Sequence, residues 1–343
     1  MTIVSRQTIS VASIHGPLAI ELAIEQWPLK RALRISGACW TLCEVLTVTV
    51  SAGAATGRGE AAGVGYRGET CETMQREALV ALLACSQPVS RALLQTILPP
   101  GGARNALDCA LWDLEAAILA RPVWDLAGFE PPAAVLTTFT CGIDTPEDMA
   151  RTAAGYGGAR AIKLKLAGDL ADAERIAAVR DALPDAWLAV DANQALDRSS
   201  LEALLPTLRV AEVALLEQPF SAAHDDWLDG LECPVPLAAD ESAQTATDVP
   251  GLVGRVEVVN IKLDKCGGFT AALDMLAACR AHGLRPMVGT MLSTSLGLAP
   301  AWLLGQYCEI ADLDGPIFLN EDRSPGALYE QGRVSVSAAC WGS

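Results

Sequence analysis

Apolar and polar positions change rhythm along this chain. Residues 1 to about 50 alternate, which predicts two or three antiparallel strands, the last being "CEVLTVTVSAG". A glycine-rich loop is expected next, in "TGRGEAAGVGYRGET". Helical periodicity follows around 71–86, 88–98 and 103–120. In "LDCALWDLEAAILA" it puts Leu107, Leu111, Leu114 and Ile118 on one face. "EPPAA" marks a boundary, so residues 1–125 read as an α+β domain.

From 126 to 314 short apolar runs alternate with amphipathic stretches at a spacing of roughly 25 residues. The runs are 135–141, 161–166, 187–191, 213–217, 236–240, 256–262, 285–290 and 308–312. Eight β/α steps with near-continuous apolar strands predict an α/β fold with a closed parallel barrel; an open doubly wound sheet is the alternative. Residues 315–343, with "RVSVSA" as a strand, are expected to return to the first domain.

One strand breaks the apolar rule. In "ARAIKLKLAGDL", Ile162, Leu164 and Leu166 share one face while Lys163 and Lys165 share the other, about 7 Å apart. Lysines on a solvated edge are the plain explanation. The other strand ends argue against it, because active sites of parallel barrels lie where strands run into the following loops. There stand Asp191 in "AVDANQ", Glu217 in "LLEQP", Asp240 in "LAADES", Lys262 in "NIKLDKCGG", and Asp312 and Asp314 in "ADLDGP". One such acid would be an ordinary helix cap. Acids on three successive strands crowd negative charge, and three carboxylates suit a hard divalent ion such as Mg²⁺. Strands two and six lie across a barrel from each other, so Lys165 and Lys262 would face one another. Lys163 beside Lys165, together with the metal, would lower the pKa of Lys165. Two bases on opposite faces of one carbon fit racemisation or epimerisation through a metal-stabilised enolate.

Composition narrows the partners. The 41 acids against 25 bases give a net charge of −16 and no Lys/Arg-rich run, so no nucleic-acid partner is expected. Eleven scattered cysteines without a C-x-x-C read as reduced thiols in a cytoplasm, and three histidines lack metal-ligand spacing. Glu21 and Glu25 interrupt the apolar run near the N-terminus, so no signal peptide is expected, and no span is expected to be long enough to cross a membrane. A homo-oligomer is expected.

The motifs "IKLKL", "VDANQ", "LEQP", "ADES" and "NIKLDKCGG" together resemble the enolase superfamily, muconate-lactonizing subgroup, and within it the dipeptide epimerases. That resemblance implies a modified TIM barrel, (β/α)7β, under an N-terminal α+β capping domain. It implies Asp191, Glu217 and Asp240 as Mg²⁺ ligands, and Lys165 and Lys262 as acid/base lysines with Lys163 beside the first. Lys265 lies beyond the strand and is expected to be structural. Asp312 and Asp314 match the pair that holds a dipeptide's ammonium; a turn is the plain explanation of "DGP". "PLKRALRIS" resembles a capping loop, placing Arg34 at a substrate carboxylate, and "YRGET" resembles a second specificity loop. Thr140 matches a substrate-contacting threonine, and Ser293, like Ser295, is a candidate polar contact. Gly267 and Gly268 read as a tight turn rather than a phosphate cradle. The reaction implied is inversion of the α-carbon of the C-terminal residue in an Ala-Glu-like dipeptide. N-acylamino acid racemase, o-succinylbenzoate synthase and, from another class, a Schiff-base aldolase are the alternatives.

Overall fold

The computed structural model describes all of residues 1–343. Its N-terminal sheet is an antiparallel meander of β1 (Thr2–Ser13), β2 (Gly16–Ile35), β3 (Ala38–Ala52) and β4 (Ala55–Ala61), paired in that order. β4 falls where a glycine-rich loop was expected. The glycines serve packing instead: a Cβ on Gly59 would lie 2.0 Å from the carbonyl oxygen of Ala106. After the helices α1 (Cys71–Ala84) and α2 (Arg91–Ile97) comes α3 (Gly102–Leu119), to which Ala106 belongs and which lies against β4 at backbone contact distance. Leu18, Ile20, Leu22 and Ile24 of β2, Leu46, Val48 and Val50 of β3, and Leu107, Leu111 and Leu114 of α3 form one core. Ile118, one turn further along, is exposed.

Eight parallel strands follow: Phe139–Cys141, Ala161–Lys165, Trp187–Asp191, Leu215–Glu217, Leu237–Ala239, Val258–Lys262, Arg285–Gly289 and Ile310–Asp312. Each pairs with the next, and Thr138 N–H donates to Ala311 O at 3.0 Å, joining first strand to last. The sheet is a barrel and not an open doubly wound sheet. Strand side chains alternate between the helical layer outside and the interior. Ala189, Leu215, Ala238, Val258 and Met287 pack together as an apolar cluster, and two residues on from four of them stand Asp191, Glu217, Asp240 and Asn260. The polar rim is thus the next inward layer above an apolar floor.

Two expectations are corrected. Val135–Leu136 does not open the first barrel strand; it pairs with Arg333–Val336, which also pairs with Ala327–Glu330. The "RVSVSA" strand therefore stays beside the barrel. The residues on either side of that strand do reach the N-terminal domain: Asn320 N–H donates to Pro28 O at 2.9 Å, Arg323 pairs with Glu25 and Glu60 at 2.8 Å each, Trp341 Nε1–H donates to Cys109 O of α3 at 3.0 Å and Gly342 N–H to Asp113 at 2.7 Å. The uncharged run 286–308 is divided between the seventh strand and the helix Ser295–Gly305, and no helix is long and apolar enough to cross a membrane.

Candidate active site

Pairing register lines up the rim. Lys165 is opposite Asp191, which is opposite Glu217; across the barrel, Lys262 is opposite Gly289, which is opposite Asp312. Lys163 is opposite Thr140. Lys163 is 1 % exposed, so the solvated-edge explanation fails. Its ammonium lies 2.7 Å from Asp312, 2.8 Å from Glu217 and 3.1 Å from Asp191. Lys165 Nζ reaches Asp191 at 2.6 Å, and Lys262 Nζ reaches Asp240 at 2.8 Å. The two lysines expected to face each other thus flank a row of three carboxylates, from strands four apart in the barrel.

The electrostatics differ from the expectation. Lys163 was expected to act on Lys165 as a bare like charge. Burial does work against its ammonium, but Asp191, Asp312 and Glu217 outweigh burial and hold its pKa well above the usual lysine value. Its charge is offset where it stands. Burial likewise opposes charge on Lys262, and Asp240 overrides it and raises that pKa. Burial opposes the Asp191 carboxylate, while Lys163 and Lys165 pull its pKa down to about 2. Glu217 is pushed up, by burial first and then by Asp191.

The donor set fits a hard divalent cation. Asp191, Glu217 and Asp240 are each at most 1 % exposed and offer carboxylate oxygens at adjoining strand ends. Glu217 Oε2 is buried without a hydrogen-bonded partner, although Lys163 Nζ is 2.8 Å away and off line. Asn193 Oδ1, Glu241 Oε2 and Asn260 Oδ1, at the ends of neighbouring strands, are unpartnered too. Ammonium groups supply the positive charge among these carboxylates, which do not converge on one point. Buried oxygens without donors are what a cation and its waters would satisfy.

Asp312 and Asp314 are both buried. Asp312 accepts from Lys163 Nζ and, at 2.5 Å, from Thr138 Oγ1. Asp314 Oδ2 accepts the Thr140 N–H at 2.5 Å. Burial, then the charge of Asp312, pushes Asp314 up to about 7. Thr140 offers its backbone here, and its carbonyl accepts from Tyr156 OH at 2.8 Å. Ser293 is buried with its Oγ unpartnered, and a Cβ on Gly315, next to Asp314, would lie 3.2 Å from that oxygen. Ser295 is tied to Asp322 and to Ala327 N–H.

Arg34 stands apart. "PLKRALRIS" is not a loop but part of β2, whose register shifts between Pro28 and Leu33. The Arg34 side chain is exposed, and its backbone oxygen accepts the Ile143 N–H at 2.8 Å, beside the first barrel strand. In the "YRGET" loop, Tyr66 OH accepts from Gln244 Nε2 at 2.9 Å, just past Asp240. Lys265 is fully buried and donates to Asp240 Oδ1 at 2.6 Å and to the carbonyl of Asn260 at 3.0 Å, as a structural lysine would. Asn193, Glu241, Asn260 and Thr138 escaped the sequence reading. The period of two flags two of them: Asn260 precedes Lys262, and Thr138 precedes Thr140, by two positions on the same face.

Residues 147–338 match the family model described as "enolase C-terminal domain-like", and residues 19–128 match that of the mandelate racemase / muconate lactonizing enzyme N-terminal domain. The chain is 38 % identical over 314 residues to an L-Ala-D/L-Glu epimerase of Escherichia coli, covering 91 % of this chain and 98 % of that one. It is also 38 % identical over 272 residues to an N-acetyl-D-glutamate racemase of Pseudoalteromonas, covering 79 % and 85 %. A crystal structure of an enolase family member from Agrobacterium tumefaciens, with homology to dipeptide epimerases and with bound sodium and L-Ala-L-Glu, superimposes with a TM-score of 0.91. Identity to it is 37 %, covering 95 % of this chain and 100 % of that one. A Methylococcus capsulatus dipeptide epimerase, complexed with Mg and L-Arg-D-Lys, gives a TM-score of 0.84 at 29 % identity, with 98 % of each chain covered.

Proposed function

The chain belongs to the mandelate racemase / muconate lactonizing enzyme family of the enolase superfamily, and on that premise we propose that it is a Mg²⁺-dependent dipeptide epimerase. The observation that carries the reading is the pair Lys165 and Lys262, on strands four apart, flanking the carboxylates of Asp191, Glu217 and Asp240. Those three carboxylates would hold the Mg²⁺, which when bound supplies positive charge to a substrate carboxylate as negative charge builds up beside it. One lysine removes the α-proton of the C-terminal residue and the other delivers a proton to the opposite face. Lys163, fixed by Asp312 and Glu217 and with its charge offset there, holds the carboxylates beside Lys165 in place. Asp314, with Asp312 behind it, receives the dipeptide's ammonium, and Thr140 N–H orients the Asp314 carboxylate. Ser293 is placed to offer a hydroxyl at the same end. Arg34, exposed on the β2–β3 hairpin, would meet an acidic C-terminal side chain. A cytoplasmic location is supported by eleven free cysteines.

N-acylamino acid racemisation is the second reading, favoured by the Pseudoalteromonas relative. An N-acyl substrate brings no cation to Asp314 and would leave that buried carboxylate unpaired. Parallel incubation of L-Ala-L-Glu, N-acetylglutamate and N-succinylamino acids with enzyme and Mg²⁺ in D₂O, followed by NMR, separates the two. Exchange of the glutamyl α-proton with formation of the D-epimer in the dipeptide is expected. Exchange confined to the N-acyl substrates would overturn the dipeptide reading.

A further inference from the structure

The loops behind the two proposed bases are held in different ways. After Lys165 the chain is anchored by the barrel itself. Asp172 accepts the N–H groups of Ala167 and Gly168 at 3.0 and 2.8 Å, and Arg175 clamps Asp172 to Asp169. After Lys262 the turn is tied to the barrel through Lys265, and its remaining side-chain anchors come from the N-terminal domain. Asp264 accepts Ala62 N–H at 2.9 Å and Asn105 Nδ2 at 3.3 Å. Arg104 donates to the carbonyls of Cys266 and Gly267. Asp108 accepts Thr270 N–H at 2.8 Å and Thr270 Oγ1 at 2.7 Å.

The contact is close and specific. Gly267 and Gly268 have φ of +88° and +112°. A Cβ on the first would meet Arg104 Nε at 2.3 Å, and on the second Asp108 at 2.6 Å. Only glycine lets the turn after Lys262 seat against α3. Arg104, Asn105, Asp108 and Asp264 are all buried, so this polar contact is sheltered from water. Buried groups matched one to one hold a single geometry, because a shifted geometry leaves them unpaired.

We infer that Arg104, Asn105 and Asp108 of α3 are positioning residues for Lys262, so that the N-terminal domain sets one proton-transfer face while the barrel alone sets the other. This inference rests on the two-base epimerase reading. Proton transfer is sensitive to placement, and a displacement of about 1 Å can cost about 100-fold in rate. Loosening α3 from the turn should therefore slow transfer by Lys262 and spare transfer by Lys165.

The test measures α-proton exchange from each epimer of the dipeptide separately in D₂O. Lys165→Ala and Lys262→Ala first assign which epimer each lysine deprotonates. Asn105→Ala is then expected to slow exchange from the Lys262 epimer about 10- to 100-fold and to leave the other within about twofold. Asp172→Asn, acting on the loop after Lys165, should give the mirror result. Should Asn105→Ala not fold, Asp108→Asn keeps the side-chain shape and reads the same selectivity. Equal slowing of both epimers, or of neither, overturns the inference while leaving the epimerase reading intact. Absence of exchange from either epimer in the unsubstituted enzyme overturns both.

Discussion

Asp314 should make dipeptide binding depend on pH in a way that binding of an N-acyl substrate does not. Burial, and next the charge of Asp312, pushes the Asp314 carboxyl up to about 7. The Asp312 charge is already matched by Lys163 at 2.7 Å, so the charge open to a ligand is that of Asp314. An ammonium binds the ionised form, so affinity rises with pH until the substrate's own α-amino group deprotonates near about 8. With a pKa of about 7, about a tenth of the sites are ionised at about pH 6 and half at about pH 7. The apparent KM should therefore fall about fivefold over that unit, since affinity scales with the competent fraction. Asp314→Asn keeps an oxygen for the Thr140 N–H but carries no charge. It should raise KM about 10- to 100-fold, the worth of one charged hydrogen bond, and flatten the pH trend. The assay is initial epimerisation rate against L-Ala-L-Glu concentration across this range, with N-acetylglutamate as the control lacking an ammonium. A KM trend that survives in the Asn variant, or that N-acetylglutamate shares, would refute the assignment.

Stability carries its own pH signature at the turn behind Lys262. Burial, then the charge of Glu69, pushes Asp264 up to about 7, while an unfolded aspartate titrates near about 3.9. Between those values the folded protein holds a proton that the unfolded chain has lost, so stability falls as pH rises through this window, by at most about 4 kcal/mol. Asp264→Asn should thus raise the urea midpoint at about pH 8 more than at about pH 5; parallel shifts at both would contradict this. Glu217→Gln removes one carboxylate from the proposed cation site and should weaken Mg²⁺ binding, read by calorimetry, at least about tenfold; unchanged affinity would take Glu217 out of the site. Gly59→Ala puts a Cβ 2.0 Å from a helix carbonyl that cannot yield, and should cost about 1–3 kcal/mol or more, seen as a lower thermal midpoint.

Much of this molecule was legible because periodicity and position carry physical meaning. A period of two put Lys163 and Lys165 on one face, and the barrel supplied the interior that face looks into. Successive strand ends placed Asp191, Glu217 and Asp240 side by side. What stayed hidden depends on distant partners. β4 looked like a loop because Gly57 and Gly59 weaken strand propensity, and their reason lies in a helix some 50 residues away. Val135–Leu136 continues the apolar run of the first barrel strand, and only its pairing with Arg333–Val336 detaches it. Lys163 read as a like charge beside Lys165 because Asp312, its tightest partner, is 149 positions away. Asp264 carried no signal of its own, because the groups that close on it, Ala62 N–H and Asn105 Nδ2, lie 202 and 159 positions away.

Two lysines serving opposite faces of one carbon leave a signature in single-face proton exchange. L-Ala-L-Glu and L-Ala-D-Glu are each incubated in D₂O with Mg²⁺ and either Lys165→Ala or Lys262→Ala, and the glutamyl α-proton is followed by NMR. Neither variant should epimerise, each should still exchange the α-proton of one epimer without inverting it, and the two variants should choose opposite epimers. Exchange of the same epimer by both variants, or epimerisation persisting in either, would contradict the two-lysine assignment.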